Sequence, residues 1–357
     1  MSIPFKEPKP PLTYDPHTEI AAIDNHFAKR NVPVSQDGRL VLATWNIANL
    51  GAQGRAPRAL TLIAHILSRF DLIAVQEVND NYRVFQQIVQ QMGDKYDFVF
   101  SDKAGNDERL AFIYRTDKVV LDKLWGEVAL TKKQYPKHTV SVHYRKGGKE
   151  QTQTFKNFLF VPFDRNPYIG SFQSGSIKFI LASAHLYFGN FENSASEEMR
   201  KKYARRVLEI FALARWANDI HKSKNAWDHN VLLLGDMNVP NTDKNEATIK
   251  ALKSFDWRSI DYVSNQQIGV DVTKLSQVGG SNLGNDRTYD QIAFAPSTLN
   301  GKIGRFGVFD YDNAIFREKW TEVSSELSHS KAVSLFAHYV KHHISDHRPL
   351  WLELRTT

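Results

Sequence analysis

Several predicted strands end at polar residues of the kinds that bind metal ions and transfer protons. In "NVLLLGDMNVP" (230–240), four apolar residues stop at Gly235, and Asp236 and Asn238 follow. A short apolar run bounded by turn residues is typical of a strand buried on both faces. Ligands of α/β sheets bind outside the carboxyl ends of such strands. Asp and Asn also cap turns through bonds to nearby backbone, so this stretch alone fits either a site or a turn.

Residues of the same types recur at four other predicted strand boundaries. The stretches "ATWNIANLG", "IAVQEVND", "LASAHLYFG" and "HHISDHRPLW" contribute Asn46, Glu77, His185, Asp346 and His347. Carboxylate and amide oxygens suit a hard cation such as Mg²⁺, Mn²⁺ or Ca²⁺, whereas zinc prefers more imidazole or thiolate ligands. Together these residues predict a divalent-metal site at which two histidines are left to transfer protons.

Composition narrows the class of protein. A chain of 357 residues with 42% hydrophobic content can bury a large core, which argues against disorder. The absence of cysteine excludes disulfides, a thiol nucleophile and thiolate metal sites. A net charge of +7 favours a polyanionic partner, which nucleic acid and an anionic membrane would both satisfy.

The first residues are interpreted as an extension. Residues 1–37 begin with the proline-rich "KEPKPPLTYDP", continue with a short predicted helix, "TEIAAIDNHFAKR", and are expected to pack on one domain formed by residues 38–357. The first twenty residues lack the basic start and apolar core of a signal peptide, and no stretch approaches membrane-spanning length. We therefore expect a soluble cytoplasmic protein without membrane insertion.

Strands are predicted throughout the domain. They are "RLVLATWN", "DLIAVQE", "LAFIYR", "FKNFLFVPF", "KFILASAH", "NVLLLGD", "YDQIAFA" and "PLWLELR", with loop-rich stretches at 131–154 and 264–288. Because strands and helices do not alternate strictly, the predicted fold class is α/β with two packed mixed sheets flanked by helices, a four-layer α/β/β/α sandwich.

A long helix is predicted between "KFILASAH" and "NVLLLGD". Its apolar stripe consists of Val207, Ile210, Phe211, Ala214 and Ala217. Its start and outer face carry a basic run, Lys201, Lys202, Arg205 and Arg206. Such a run is usually a solvated surface, and we interpret it in that way.

The polar motifs also occur in a recognisable order. The first strand is followed by Asn46, and the second carries Gln76 and Glu77. His185 comes next, followed by Gly-Asp-x-Asn at 235–238 and Ser-Asp-His at 345–347. This order resembles the endonuclease/exonuclease/phosphatase superfamily, and the resemblance covers most of the chain from about residue 40 onward. It implies the four-layer fold and makes residues 38–357 the catalytic domain.

Further stretches are similar to the deoxyribonuclease I-like branch. These are "ERLAFIYRTDKVVLDK", "FDRNPYIGSF" and "TYDQIAF". The resemblance implies that Glu108 lies behind His185, that Asp290 lies behind His347 and that Arg165 lies near a phosphate. A carboxylate bonded to one ring nitrogen fixes the tautomer of a histidine and stabilises its imidazolium. The alternative to these roles is that Glu108 and Arg109 form a charge pair on the protein surface, and that Arg165 forms a similar surface pair.

Two positions depart from the pattern of that branch. Asn79 stands where the branch has an arginine that reaches into the DNA minor groove, and Asn106 replaces a tyrosine two positions before Glu108. Both positions concern the grip on substrate. The departures therefore put a relaxed double-stranded DNA specificity in doubt and leave the hydrolase prediction unaffected.

The expected activity is that of a divalent-metal-dependent phosphodiesterase, a nuclease that hydrolyses DNA by in-line attack of water, with RNA as the alternative substrate. Asn46, Glu77 and Asp346 are the predicted ligands of Mg²⁺ or Mn²⁺, with Ca²⁺ as a structural ion. Asp236 and Asn238 are expected to orient the phosphate and the attacking water. His347, backed by Asp290, and His185, backed by Glu108, are expected to transfer protons, with the order left open. Asp236 as the base, with His347 only stabilising charge, is an alternative.

Other functions remain open at this point. One is a phosphatase or phosphodiesterase acting on inositol phosphates or phospholipid head groups. Another is a non-catalytic module that binds nucleic acid. The expected partner is a nucleic acid substrate, with no obligate protein partner. The basic stretch "HYRKGGKEQTQTFK" is interpreted either as a hairpin against the substrate or as a solvated loop.

Overall fold

The computed structural model of the protein describes residues 4–188, 196–255, 257–259 and 279–357. Within these residues, two mixed six-stranded sheets pack face to face. The strands of the first sheet, from edge to edge, are β13 (Ile303–Val308), β14 (Leu350–Arg355), β1 (Arg39–Leu50), β2 (Leu72–Val78), β4 (Arg109–Arg115) and β3 (Tyr96–Phe100). The strands of the second are β11 (Arg258–Ser259), β12 (Asp290–Phe294), β10 (Val231–Asp236), β9 (Ile177–His185), β8 (Tyr168–Ser174) and β5 (Val120–Glu127).

Helices cover the outer face of each sheet. Those on the first sheet are α1 (Pro16–Lys29), α2 (Pro57–Leu67), α3 (Tyr82–Met92), α7 (Arg317–Glu326) and α8 (His329–His343). Those on the second are α4 (Glu197–Lys222) and α5 (Ala247–Leu252), and the short α6 (Pro296–Leu299) follows β12. The predicted four-layer architecture of two packed mixed sheets flanked by helices is confirmed.

Side chains that alternate between the two faces of each central strand produce these layers. On β1, Leu40 and Leu42 belong to the core between the two sheets, whereas Val41 and Ala43 pack under the helices. Successive strand residues point to opposite faces, so a continuous apolar run serves two cores at once. The buried apolar strands of the sequence are therefore the two-sided strands at the centre of each sheet.

A two-stranded hairpin corrects the loop expected at 131–154. Strands β6 (Lys137–Lys146) and β7 (Lys149–Leu159) pair in antiparallel fashion and turn at Gly147 and Gly148, whose φ angles are 59° and 76°. Val140 and Val142 are buried against α4 and α5. The stretch "HYRKGGKEQTQTFK" therefore forms a hairpin, and its contact with substrate stays a prediction. Of the other predicted loop, residues 264–278 lie outside the described part of the chain.

The N-terminal residues contact the helical layer of the first sheet. Asp15 caps α1 by accepting hydrogen bonds from the backbone N–H groups of His17 (3.4 Å) and Thr18 (3.1 Å), and Pro16 occupies the first helical position. Further along, the phenol of Tyr339 on α8 donates to the carbonyl of Pro10 (2.7 Å). The segment before α1 therefore lies against α8.

Candidate active site

The register of strand pairing brings the polar strand ends together. In the second sheet Asp236 is paired with His185 of β9 on one side and with Asp290 of β12 on the other. Gly235 (φ 129°) precedes Asp236, and a Cβ there would clash with the backbone of Ala184. The Gly-Asp sequence thus permits the close approach of β10 and β9 that aligns these side chains.

The first sheet contributes Asn46 and Glu77. Asn46 lies opposite Gln76 on the parallel pair β1 and β2, and the register shifts immediately after this pair. Glu77 lies at this irregularity with a φ angle of 62°, a left-handed conformation that a side chain other than glycine adopts at an energetic cost. Strained backbone of this kind clusters at functional sites.

One oxygen of Asp236 is the centre of the arrangement. Oδ2 accepts a hydrogen bond from Nδ2 of Asn46 (3.1 Å), and Oδ1 accepts one from the backbone N–H of Asn238 (2.9 Å). Nε2 of His185 and Nε2 of His347 each lie 3.7 Å from Oδ2. The two imidazoles therefore approach the same carboxylate oxygen, one from each sheet.

A carboxylate stands behind each imidazole. Nδ1 of His347 lies 2.9 Å from Oδ2 of Asp290, and Nδ1 of His185 lies 3.0 Å from Oε2 of Glu108. Both carboxylates are buried, with exposures of 0% and 5%. Each histidine thus faces a carboxylate with Nδ1 and Asp236 with Nε2, which is the arrangement expected of an oriented proton-transfer group.

Arg165 lies behind Glu108. Its Nε donates to Oε2 of Glu108 (2.8 Å), and its Nη1 lies 3.5 Å from the carbonyl oxygen of His185. The side chain is 5% exposed. Arg109, the other candidate partner of Glu108, bonds instead to Asp80 (2.7 Å). The contacts of Arg165 are therefore with the carboxylate and backbone that hold His185.

The charges of the site shift its pKa values in opposite directions. Burial alone would lower the pKa of His347, but the carboxylates of Asp290 and Asp236 outweigh burial and hold it well above its ordinary value. Burial likewise opposes the shift at Asp236, where the two imidazoles lower the carboxyl pKa. Burial of Glu77 raises its pKa; His185 opposes this increase, while the like charges of Glu108 and Asp346 add to it.

Asn46, Glu77 and Asp346 have the chemistry of a ligand set for a hard cation. Oδ1 of Asn46 is buried and has no hydrogen-bond partner within the described residues. Glu77 is partly exposed and accepts hydrogen bonds from Nδ2 of Asn46 (2.9 Å) and from the backbone N–H of Asn49 (2.8 Å). Asp346 is partly exposed as well, and its charge disfavours ionisation of Glu77. An unpartnered amide oxygen beside two carboxylates fits Mg²⁺ or Mn²⁺.

The interpretation of the basic run on α4 is wrong for Arg206. This side chain is 2% exposed, and it donates to the carbonyl oxygens of Asn238 (2.7 Å) and Tyr187 (3.1 Å). It therefore fixes the loops that follow β10 and β9. The helical spacing of the sequence could have predicted this burial, because Arg206 lies on the same helix face as the buried Tyr203 and Ile210.

Ser345 and Arg55 are further residues that the sequence did not assign to the site. Oγ of Ser345 donates to the carbonyl of Asn46 (2.7 Å) and accepts from the backbone N–H of His347 (3.1 Å). Arg55 donates to the carbonyls of Ala48 (2.5 Å) and Ile344 (2.8 Å). Both residues tie the loop before β14 to β1. The position of Ser345 in the Ser-Asp-His motif was the sequence feature that could have predicted its role in the site.

The two departures from the deoxyribonuclease I-like pattern lie in different environments. Asn79 is 8% exposed, and its Nδ2 donates to the carbonyl of Glu77 (3.0 Å). Asn106 is exposed in a short turn and has a φ angle of 61°. Asn79 thus supports the strained backbone of Glu77, and Asn106 occupies a left-handed position that asparagine tolerates well.

Comparison with known proteins gives sequence relatives of one kind. No family model matches the chain. Deoxyribonuclease-1 of Oryctolagus cuniculus is 28% identical over 241 residues, which cover 64% of this chain and 68% of that protein. Deoxyribonuclease-1 of Homo sapiens is 34% identical over 89 residues, 22% of this chain and 32% of that protein.

Solved structures with a similar fold come from several sources. One is an endonuclease/exonuclease/phosphatase family protein from Bacteroides thetaiotaomicron (17% identity, 88% of this chain and 94% of that chain, TM-score 0.46). The mannosyl-6-phosphatase Bt3783 of the same species has 17% identity, coverages of 88% and 99%, and a TM-score of 0.45. Truncated TDP2 of Caenorhabditis elegans has 14% identity, coverages of 89% and 97%, and a TM-score of 0.47.

Sequence similarity and site geometry agree. The deoxyribonuclease-1 match extends over most of this chain, and the ordered motifs meet at one edge of the two packed sheets. Among the described residues, no helix has the length and apolar character needed to cross a membrane. The chain is thus similar in sequence to deoxyribonuclease-1 and has two packed mixed sheets flanked by helices.

Proposed function

We propose that the protein is a divalent-metal-dependent phosphodiesterase whose substrate is nucleic acid. One observation carries the proposal: Nε2 of His185 and Nε2 of His347 lie at the same distance, 3.7 Å, from Oδ2 of Asp236, and each Nδ1 faces a buried carboxylate. A phosphoryl group near that oxygen would lie close to both imidazoles. In-line displacement at phosphorus needs one proton-transfer group for the entering oxygen and one for the departing oxygen.

Asn46, Glu77 and Asp346 would hold Mg²⁺ or Mn²⁺ in this proposal. When bound, the ion would act as a Lewis acid and neutralise charge on the nonbridging phosphate oxygens. Asn46 contributes its unpartnered Oδ1, while its Nδ2 bridges Glu77 and Asp236. The same amide thus fixes the metal ligands relative to the oxygen at which the two histidines meet.

Asp236 and Asn238 would orient the water and the phosphate. Oδ1 of Asp236 is held by the backbone N–H of Asn238, and the Asn238 side chain donates to the carbonyl of Leu186 (2.9 Å). Arg206 holds the carbonyl of Asn238 from behind. These bonds preorganise the Asp236 carboxylate, so that little reorganisation is needed when the phosphate charge develops.

The two histidines would complete the proton balance. One imidazole accepts a proton from water as the new O–P bond forms, and the other donates a proton to the departing alkoxide as the old P–O bond breaks. Asp290 and Glu108 keep the correct nitrogen of each ring directed at the site. Arg165 positions Glu108 from behind, so we assign it to orientation of the His185 imidazole.

The net charge of +7 supports nucleic acid as the substrate class. The hairpin of β6 and β7 adds an exposed basic surface that includes Arg145, Lys146 and Lys149. If binding is mainly to phosphates, the apparent affinity for DNA should fall steeply with salt concentration. A flat salt response would count against a polyanionic substrate.

The test is cleavage of a nucleic acid panel in Mg²⁺. Supercoiled plasmid, single-stranded and duplex DNA, RNA, and soluble monoesters such as sugar and inositol phosphates are incubated with the protein, with and without EDTA. We expect nicking or strand cleavage that EDTA stops and that Asp236→Ala abolishes. Asp219→Ala, which removes an exposed carboxylate of α4, is the matched control. Release of phosphate from monoesters without strand cleavage would instead identify a phosphatase.

Glu77→Gln tests the metal ligands in the same assay. The substitution keeps the shape of the side chain and removes its charge, so we expect a large loss of rate at low Mg²⁺ and partial recovery at high Mg²⁺. An unchanged dependence on Mg²⁺ concentration would contradict the assignment of Glu77 as a ligand.

A further inference from the structure

We propose that Glu7, His342 and His343 form a second metal site, specific for a transition metal such as Zn²⁺, between the N-terminal segment and the end of α8. One ligand atom from each residue lies within 4.8 Å of the others. Nε2 of His343 is 3.8 Å from Oε1 of Glu7. The site is separate from the three residues proposed to hold Mg²⁺, and the proposal is independent of the catalytic function.

A bound metal would account for the unpaired ring nitrogens of the buried His343. Its side chain is 3% exposed, and neither ring nitrogen has a hydrogen-bond partner within the described part of the chain. The ring packs against the rings of Tyr14 and Phe316, with centroid distances of 5.6 and 5.8 Å. Buried polar groups are normally paired, and an exception in a well-packed region indicates a missing partner.

His342 is already oriented by its surroundings. Its Nδ1 lies 3.0 Å from the carbonyl oxygen of Phe5 and 2.9 Å from Nε2 of Gln53. Gln53 also accepts from the backbone N–H of Phe5 (2.8 Å) and donates to its carbonyl (3.0 Å). A backbone carbonyl at one ring nitrogen is a common means of fixing a metal-binding imidazole. These bonds also hold the segment that carries Glu7 against α8.

The donor set indicates which metals would bind. Two imidazoles and one carboxylate, with water in the fourth position, form a known type of zinc site. The positive charges of Arg55 and Arg58 act on His343 and oppose any cation. A metal with strong affinity for imidazole overcomes this repulsion more readily than Mg²⁺, which prefers oxygen ligands. We therefore expect Zn²⁺ and Co²⁺ to bind, and Mg²⁺ not to bind.

The position of the site indicates what the metal would do. His343 is the last residue of α8, and Ile344 leads directly into the Ser-Asp-His motif of 345–347. A metal at this point would attach the N-terminal segment to the helix that precedes Asp346 and His347. It would thereby stabilise the loop that carries these two residues.

Cobalt binding tests the proposal with a spectroscopic readout. The untagged full chain is freed of metal with a chelator and titrated with Co²⁺, whose tetrahedral complexes absorb visible light far more strongly than octahedral ones. We expect one equivalent to give the tetrahedral absorption in the wild type and in Glu77→Gln. Glu7→Ala and His342→Ala should abolish the absorption or weaken Co²⁺ binding by at least about tenfold. Glu326→Ala, an exposed carboxylate on α7, is the matched control.

Thermal unfolding of the same variants with Zn²⁺ gives a second readout. The midpoint should rise with Zn²⁺ in the wild type and in Glu77→Gln, and should not change in Glu7→Ala. Because Glu7 is exposed, its substitution carries the test even if His342→Ala does not fold. The proposal is overturned if no tetrahedral absorption develops, if it survives Glu7→Ala with undiminished Co²⁺ affinity, or if Glu77→Gln removes it.

Discussion

The two histidine–carboxylate pairs of the candidate site differ in what lies behind the carboxylate. Burial acts to raise the pKa of Glu108, but the side chains of His185 and Arg165, which both contact its carboxylate, outweigh burial and lower this pKa. Asp290 faces His347, and its burial raises its pKa despite that imidazole. One carboxylate thus has a permanently charged partner, whereas the other relies more on the histidine itself.

This difference gives the two histidines different structural importance. Loss of His185 would leave Glu108 paired with the charged Arg165, whereas loss of His347 would leave Asp290 buried beside the neutral hydroxyl of Ser281. Removal of one partner from a buried charge pair is costly because the remaining charge is uncompensated. The comparison therefore predicts similar catalytic roles for the two histidines and different contributions to stability.

The largest expected effect comes from the residue that both histidines share. Asp236→Ala removes the oxygen that lies 3.7 Å from each Nε2 and that also binds Asn46. We expect turnover to fall by more than about 10⁴-fold. The rate of plasmid cleavage in Mg²⁺ measures the loss, and circular dichroism checks that the fold is retained. Substantial activity in this variant would show that the two pairs do not act through a common centre.

Separate removal of the two histidines tests the comparison directly. His185→Ala and His347→Ala should each reduce the rate by about 10²- to 10⁴-fold, the usual contribution of a general acid or base. His347→Ala should cost about 3 kcal/mol in the free energy of unfolding, because Asp290 remains buried. His185→Ala should cost about 1 kcal/mol. Urea unfolding of both variants measures the difference, and equal losses would remove the role assigned to Arg165.

The strand ends were predictable from sequence because they are local features. An apolar run followed by Asp236 and Asn238 is visible in ten residues, and so is the run that ends at Asn46. The pairing of Asp236 with His185 and Asp290 joins strands that are distant in the chain, so their alignment depended on the resemblance to a known fold. The contact of Arg165 with Glu108 is equally non-local.

Other parts of the fold gave weak or misleading local signals. Most residues of the hairpin of β6 and β7 are exposed, and its apolar alternation is confined to Val140, Val142 and Tyr144 on β6, which is a short signal for a strand. Arg206 belongs to a basic run, and its neighbours Lys201 and Lys202 are solvated as expected. Only the packing of α4 on the second sheet distinguishes the buried arginine from these lysines.

Substitution of the orienting carboxylates should have smaller catalytic effects. Asp290→Asn and Glu108→Gln preserve shape but remove the charge that holds Nδ1 of each imidazole. We expect a loss of about 10²-fold for Asp290→Asn, because a neutral amide can favour the wrong histidine tautomer. We expect a loss of about tenfold for Glu108→Gln, because Arg165 still restrains that side chain. A larger loss of rate for Glu108→Gln than for Asp290→Asn would show that Arg165 does not restrain Glu108 in the way proposed.

A third histidine–carboxylate pair, which lies in the helical layer, serves as a reference. Asp310 accepts from Nε of Arg30 (2.6 Å) and lies 2.9 Å from Nε2 of His26. Burial would raise the pKa of Asp310, but the contacts with His26 and Arg30 outweigh burial and lower this pKa from 3.8 to about 2. The folded state therefore favours the ionised carboxylate. Its contribution to stability is present above pH 3.8 and is lost as the pH falls towards 2.

Asp310→Asn is the matched control for Asp290→Asn, since both replace a buried aspartate that faces a histidine. We expect Asp310→Asn to cost about 3 kcal/mol of unfolding free energy at pH 7 and to leave the turnover of folded protein unchanged. The stability difference from the wild type should stay constant above about pH 4 and shrink at lower pH. If Asp310→Asn slowed turnover as much as Asp290→Asn, the loss in the latter would reflect general destabilisation and not misorientation of His347.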